Sequence, residues 1–169
     1  MRKPKIAVVG SVNVDMVVKS ERIPAPGETV TGGQFVMAAG GKGANQAVAA
    51  ARLGAEVVLI AKVGQDMFGQ QSIENYRREG NETSYVVRDQ NHATGVALIM
   101  VDCHGENSIS VASGANHALT PAETETAAEA IRSADLLMLQ REVPVECVNR
   151  AAQIAAEADV PVILNPAPA

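Results

Sequence analysis

A chain of 169 residues, 47% of them apolar and 20% charged, has enough material for one globular domain with a sizeable core, and its composition excludes the disordered classes. A formal charge of −5 with no basic run argues against a nucleic-acid partner, because Lys and Arg drive such complexes by neutralising the phosphate backbone. No window approaches the roughly 18 apolar residues that span a bilayer, and the run Ile6-Ala7-Val8-Val9 behind the basic start is too short for a signal peptide, so a cytoplasmic protein with a small-molecule partner is expected. Cys103 and Cys147 lie far apart, and His104 is adjacent to Cys103 rather than at metal-ligand spacing, so both cysteines are expected to be reduced, structural thiols.

In chain order, Ile6 to Val9 reads as a parallel strand buried on both faces, closed by Gly10-Ser11. Asn13 and Asp15 follow at a spacing of two, which puts both side chains on one side of an extended segment just past that strand's carboxyl end. In open α/β sheets ligands bind at that edge; the alternative is that Asp15 only tips a turn. Glu28 to Thr31 and Gln34 to Ala38 are β-prone runs joined by Gly32-Gly33, which suits a tight primed hairpin. Thr94 to Val101 and Asn107 to Val111 form a second expected hairpin, and the four runs are expected to make one small antiparallel sheet with an apolar face.

Between these hairpins, three glycines in four residues, Gly40-Gly41-Lys42-Gly43, end an extended stretch and open an alanine-rich helix that Gly54 closes. Glycine there permits positive φ and close approach of a ligand, and the first helical N–H groups are expected to offer donors to hydroxyl or anionic groups. The phosphate loop of nucleotide hydrolases would need glycine where Val36 stands and Ser or Thr where Gly43 stands, and the dinucleotide fingerprint would need glycine at Gln46, so both familiar readings fail. Glu56 to Ala61 reads as a strand, Asp66 as the N-cap of a helix ending near Gly80, and Thr120-Pro121-Ala122-Glu123 as a capping box opening a helix to about Ser133. Asp135 to Leu139, Val145 to Glu157 and Val160 to Leu164 complete the alternation as strand, helix and strand. The order predicts a parallel α/β sheet with an inserted β lid, and a doubly wound sheet ending on a bare strand at Asn165-Pro166-Ala167-Pro168-Ala169 predicts a truncated sequence.

Six segments together carry a resemblance: Gly10-Ser11-Val12-Asn13-Val14-Asp15, Pro26-Gly27-Glu28-Thr29, Gly40-Gly41-Lys42-Gly43-Ala44-Asn45-Gln46-Ala47, Thr94-Gly95-Val96-Ala97, Gly114-Ala115-Asn116, and Asn165 to Ala169. With them the chain from Ile6 onward resembles the amino-terminal half of the ribokinase family, in the ribokinase and phosphofructokinase-B sugar kinase superfamily. The resemblance implies a ribokinase-like fold, with a parallel central sheet, helices on both faces and lid strands at about 14–38 and 93–113. It implies ATP-dependent phosphorylation of D-ribose at its 5-hydroxyl, with Mg2+ and a monovalent cation (K+), in a homodimer joined through the lid near Ile109, Val111 and the Val30 to Val36 hairpin. The sugar-binding residues it implies are Asn13, Asp15, Gly40, Gly41, Lys42, Asn45 and Glu142, with Ala97 and Ile109 as an apolar cover. An ionised carboxylate accepts two hydroxyl bonds and an amide both donates and accepts, which is the chemistry a polyol needs. Arg141 departs from the family pattern, either pairing with Glu142 or pointing to solvent.

The family's catalytic aspartate lies in a Gly-x-Gly-Asp turn, and neither that turn nor an Asn-x-x-Glu motif occurs in this sequence, so the chain alone is expected to lack kinase activity. With Phe35, Phe68, Tyr76 and Tyr85 as the only aromatics, a nucleoside base has little to stack on, which favours a small sugar. Fructokinase, deoxyribokinase and a non-catalytic sugar-binding module remain the alternatives.

Overall fold

The computed structural model describes residues 2–168. Strand β1 (Lys5–Val9) lies at the centre of a parallel sheet, with β4 (Glu56–Gly64) on one side and β9 (Leu136–Leu139) on the other. Beyond them lie β5 (Asn81–Glu82) and β10 (Val162–Leu164), in the order β10-β9-β1-β4-β5, and β6 (Val86–Asp89) continues alongside β4. Burial on both faces follows from the pleat: Ala7 and Val9 of β1 belong to one core cluster, and Val8 between them to the other.

One cluster packs α5 (Val145–Glu157) on the sheet through Ala151, Ile154 and Ala155, together with the short α3 (Pro121–Glu125) and α4 (Ala128–Arg132). The other packs α1 (Lys42–Arg52) and α2 (Met67–Arg78) through Ala44, Ala47, Ile73 and Tyr76. Asp66 caps α2 by accepting from the Gly69 N–H, and Thr120 with Glu123 forms the reciprocal capping box of α3. The helix expected to run on to about Ser133 is broken in two. The Thr126 hydroxyl donates to the Glu123 carbonyl at 2.6 Å, taking an acceptor from the helical ladder at the break.

The smaller sheet has the order β3-β2-β7-β8, where β2 is Asn13–Lys19, β3 Gln34–Gly40, β7 Gly95–Val101 and β8 Asn107–Ala112. Its outer pairs are antiparallel, but the central pair β2 and β7 runs parallel. The sequence-based choice of Glu28 to Thr31 as the partner of β3 is corrected here: β2 takes that place. Glu28 is instead drawn into the loop by a two-pronged ion pair with Arg22 and by the Ala25 N–H, and only Gly32 of the Gly32-Gly33 pair has positive φ, so the primed hairpin does not form. The second hairpin, Gly95 to Ala112, forms as expected.

The register sorts the lid residues by face. Asp15 stands opposite Ala38 and Ala97, Val17 opposite Val36 and Ile99, and Ile99 in turn opposite Ile109. The reverse face carries Met16 opposite Met37 and Leu98, and Val18 opposite Phe35 and Met100.

Candidate functional site

Where the two sheets meet, Gly41 adopts φ 93°, and a Cβ there would lie 2.7 Å from the Ser11 carbonyl oxygen, so glycine is required both for conformation and for approach. Helix α1 begins at the next residue. Its leading N–H groups do not face a ligand, which corrects the expectation that they offer free donors. The Lys42 N–H donates to Glu142 Oε2 at 2.8 Å, the Gly43 N–H to the Ser11 hydroxyl at 3.3 Å and the Ala44 N–H to the Ser11 carbonyl at 2.9 Å. A carboxylate from a strand end 100 residues away thus occupies the electropositive end of the helix.

Glu142 is held on both oxygens. Ser11 Oγ donates to Oε2 at 2.6 Å and Lys42 Nζ pairs with Oε1 at 2.7 Å. Burial alone would raise its pKa; the bonds from the Lys42 ammonium, the Ser11 hydroxyl and the Lys42 N–H outweigh burial and hold the carboxyl below its ordinary value. Arg141 is exposed and makes no ion pair among the described residues, while its own N–H donates to the Ala167 carbonyl, so it does not compete for Glu142. Ala169, the last residue of the closing run, lies outside the described residues.

The Asp15 carboxylate lies against the backbone of Gly40: a Cβ on that glycine would fall 2.1 Å from its Oδ1. Burial pushes the Asp15 carboxyl up, the nearby Glu142 carboxylate adds to the rise and Lys42 opposes it. Asn13 is buried, and its Oδ1 accepts from Asn116 Nδ2 at 2.8 Å. Asn13, Lys42 and Glu142 line one cavity of about 370 Å³ with Val111, Asn116 and Arg141. Ala97 and Ile109 share the lid face of Asp15; Ala97 is buried and Ile109 exposed. Asn45 does not join that cavity. Three residues on from Lys42, it leaves α1 on a neighbouring face, is exposed, and borders a separate groove with Ala39, Val48 and Asn75. A larger cavity of about 690 Å³ lies under the opposite, amino-terminal edge of the sheet among Lys5, Glu56, Arg77 and Asn81, away from the strand ends where α/β sheets bind ligands.

The lid is anchored at its other roots as well. Asp66, besides capping α2, accepts from the Thr94 N–H and hydroxyl at 2.7 Å each, and the Thr94 hydroxyl accepts from the Gly64 N–H. Lys62, nearly buried, bridges Asp89, Glu123 and the Ala118 carbonyl at 2.9 Å each. Cys103 is exposed, Cys147 is buried, and neither is in a disulfide; among the described residues no group of three His, Cys, Asp or Glu side chains is placed to hold a metal ion.

The family model described as pfkB family carbohydrate kinase matches residues 3–169. The chain belongs to the pfkB family of carbohydrate kinases. It is 44% identical over 97% of its length to a ribokinase of Bacillus subtilis (strain 168), and 42% identical over 97% to a deoxyribokinase of Salmonella typhi. Its structure superposes on that of Arabidopsis thaliana ribokinase complexed with ribose and ATP with a TM-score of 0.88 at 35% identity, over 99% of this chain and 54% of that one. The chain spans 56% of the Bacillus protein and 54% of the Salmonella one, so it corresponds to about half of each pfkB relative. The α/β fold with its mostly parallel sheet and small second sheet is the one the sequence led us to expect. Two polar residues of this candidate site, Ser11 and Asn116, are not marked as site residues by the sequence; their only signal is that they stand inside the segments Gly10 to Asp15 and Gly114 to Asn116.

Proposed function

We propose that this chain forms the sugar-holding side of an ATP-dependent ribokinase, which makes D-ribose 5-phosphate from D-ribose. The observation that carries the reading is that the Asp15 carboxylate, lying on bare Gly40 and close enough to feel the charges of Glu142 and Lys42, shares its lid face with Val111, which lines the cavity of Asn13, Lys42 and Glu142. Its support in the comparisons is the likeness to proteins named ribokinase. Asp15 would accept hydroxyl protons, and Asn13 and the Gly41 backbone would complete the hydroxyl contacts, while Asn45, which borders the neighbouring groove, stands outside this set. Ala97 and Ile109 would cover the ring's apolar edge. Near-equal identity to a deoxyribokinase favours deoxyribose as the second reading.

ATP, Mg2+ and K+ are part of the proposal, but the described residues do not fit them: they offer no metal-holding cluster, and the sequence has no Gly-x-Gly-Asp turn. This chain's own residues bind and orient the sugar. Calorimetric titration is expected to show saturable ribose binding, and a coupled assay with ribose and ATP is expected to show no ADP release by the chain alone. No binding would overturn the sugar reading; turnover above blank would overturn the division of labour.

We propose further that two copies associate through the lid, where Val36, Ile109 and Val111 share one face and are each more than half exposed. Sedimentation at rising concentration is expected to show a dimer that Ile109→Lys splits; a monomer at every concentration would refute it.

A further inference from the structure

The orientation of a side-chain amide can be deduced when one of its atoms meets a backbone N–H, because that group can only donate. Asn116 lies in the 3₁₀ turn Gly114–Ala118 and is 2% exposed, facing the crossing from β1 to β2. Its atom 2.8 Å from the Val12 N–H must be the acceptor Oδ1, which puts Nδ2 on the other branch, 2.9 Å from the Val12 carbonyl. The second proton of that Nδ2 points to Asn13 at 2.8 Å and needs an acceptor there, so Asn13 must turn its Oδ1 toward Asn116. The NH2 group of Asn13 is therefore turned the other way, and it makes no hydrogen bond within the described residues. Gly95 leaves room for this junction: a Cβ there would lie 2.2 Å from Asn13 Oδ1 and 2.3 Å from Asn116 Nδ2.

We propose that Asn116 is a positioning residue that sets the polarity of Asn13, presenting its NH2 group to the cavity so that the site offers one neutral donor beside the acceptor Asp15. This rests on the sugar-site reading above. A hydroxyl group has both a proton and lone pairs, and a site made only of carboxylates would satisfy the first and not the second. Asn116→Asp keeps the acceptor for the Val12 N–H but removes both donors. Asn13 must then turn its NH2 toward the new carboxylate and its Oδ1 toward the ligand, which inverts what the sugar meets.

Wild type, Asn116→Asp and Asn13→Asp are titrated with ribose and with its 1-, 2-, 3- and 5-deoxy analogues. Asn116→Asp is expected to weaken ribose about ten-fold, the size of one lost neutral hydrogen bond. That loss should vanish for the one analogue lacking the hydroxyl that Asn13 addresses, and Asn13→Asp should follow the same pattern. An equal loss for every sugar would show a purely structural effect and overturn the proposal. Side-chain amide hydrogen exchange by NMR, recorded without sugar, decides the orientation independently: protected Asn116 NH2 with rapidly exchanging Asn13 NH2 is expected, and the reverse would overturn it. Failure of wild type to bind ribose would instead remove the sugar reading and leave the exchange result standing.

Discussion

Asp15→Asn is expected to weaken ribose binding about 100-fold while raising the unfolding temperature at neutral pH. The first effect follows from bond strength. Hydrogen bonds to a charged group contribute about 1.5–3 kcal/mol and neutral ones about 0.5–1.5, so losing the charge on two hydroxyl contacts removes about 2–3 kcal/mol, or two decades in affinity. The second follows from linkage. The Asp15 carboxyl titrates above its ordinary value of 3.8 because of burial first and Glu142 second. Between 3.8 and that raised value the folded state binds more protons than the unfolded one, so stability falls as pH rises through the window and the deficit persists at neutral pH. Asparagine removes the deficit. Calorimetric titration and thermal melts at several pH values check both halves, and a variant that binds ribose as well as wild type would refute the role given to Asp15.

Two glycines three residues apart should separate folding from binding. Gly43→Ala is expected to destabilise the chain by about 3 kcal/mol, a drop of roughly 6–12 °C in the unfolding midpoint for a domain of this size. Its Cβ would lie 2.6 Å from both the Gly10 carbonyl carbon and the Ser11 nitrogen, and 2.7 Å from the Gly10 Cα. All of these are backbone atoms at the junction of β1 and α1 and cannot step aside. The gain in helix propensity from alanine, about 1 kcal/mol, is too small to offset that clash. The three atoms nearest a Cβ at Gly40 all belong to the Asp15 carboxyl, at 2.1–2.4 Å, and a side-chain rotation moves them away. Gly40→Ala should therefore melt within about 2 °C of wild type and lose ribose binding as severely as Asp15→Asn. Comparable melts for the two variants would show that the site and the scaffold are not separable in this way.

The features legible in the sequence were those fixed within a few residues. The β-branched run of β1, the Asp66 cap, the capping box at Thr120 and α5 from Val145 to Glu157 depend on local periodicity and capping chemistry, and they stand where the residues placed them. The partner of β3 was not legible, because Glu28 to Thr31 and Asn13 to Lys19 are both β-prone and the choice of Asn13 to Lys19 is made by pairing across the sheet, which local pattern does not encode. Two-residue β5 is too short to carry a pattern. Within the site, Asp15 and Glu142 were marked by resemblance, but the seizure of Glu142 by Ser11 and the start of α1 depends on contacts spanning 131 and 100 residues. Asn116 acts across a similar span, and nothing in Gly114-Ala115-Asn116 by itself says which backbone it will meet.

The plug that Glu142 forms at the head of α1 has a consequence for any phosphate brought to this pocket. An incoming anion would face a like charge and find the helix's main-chain donors already engaged. On the ribokinase reading proposed above, neutralisation of a transferring phosphoryl would come from groups other than this helix, so that holding the alcohol and cradling the phosphate would fall to separate parts of the protein.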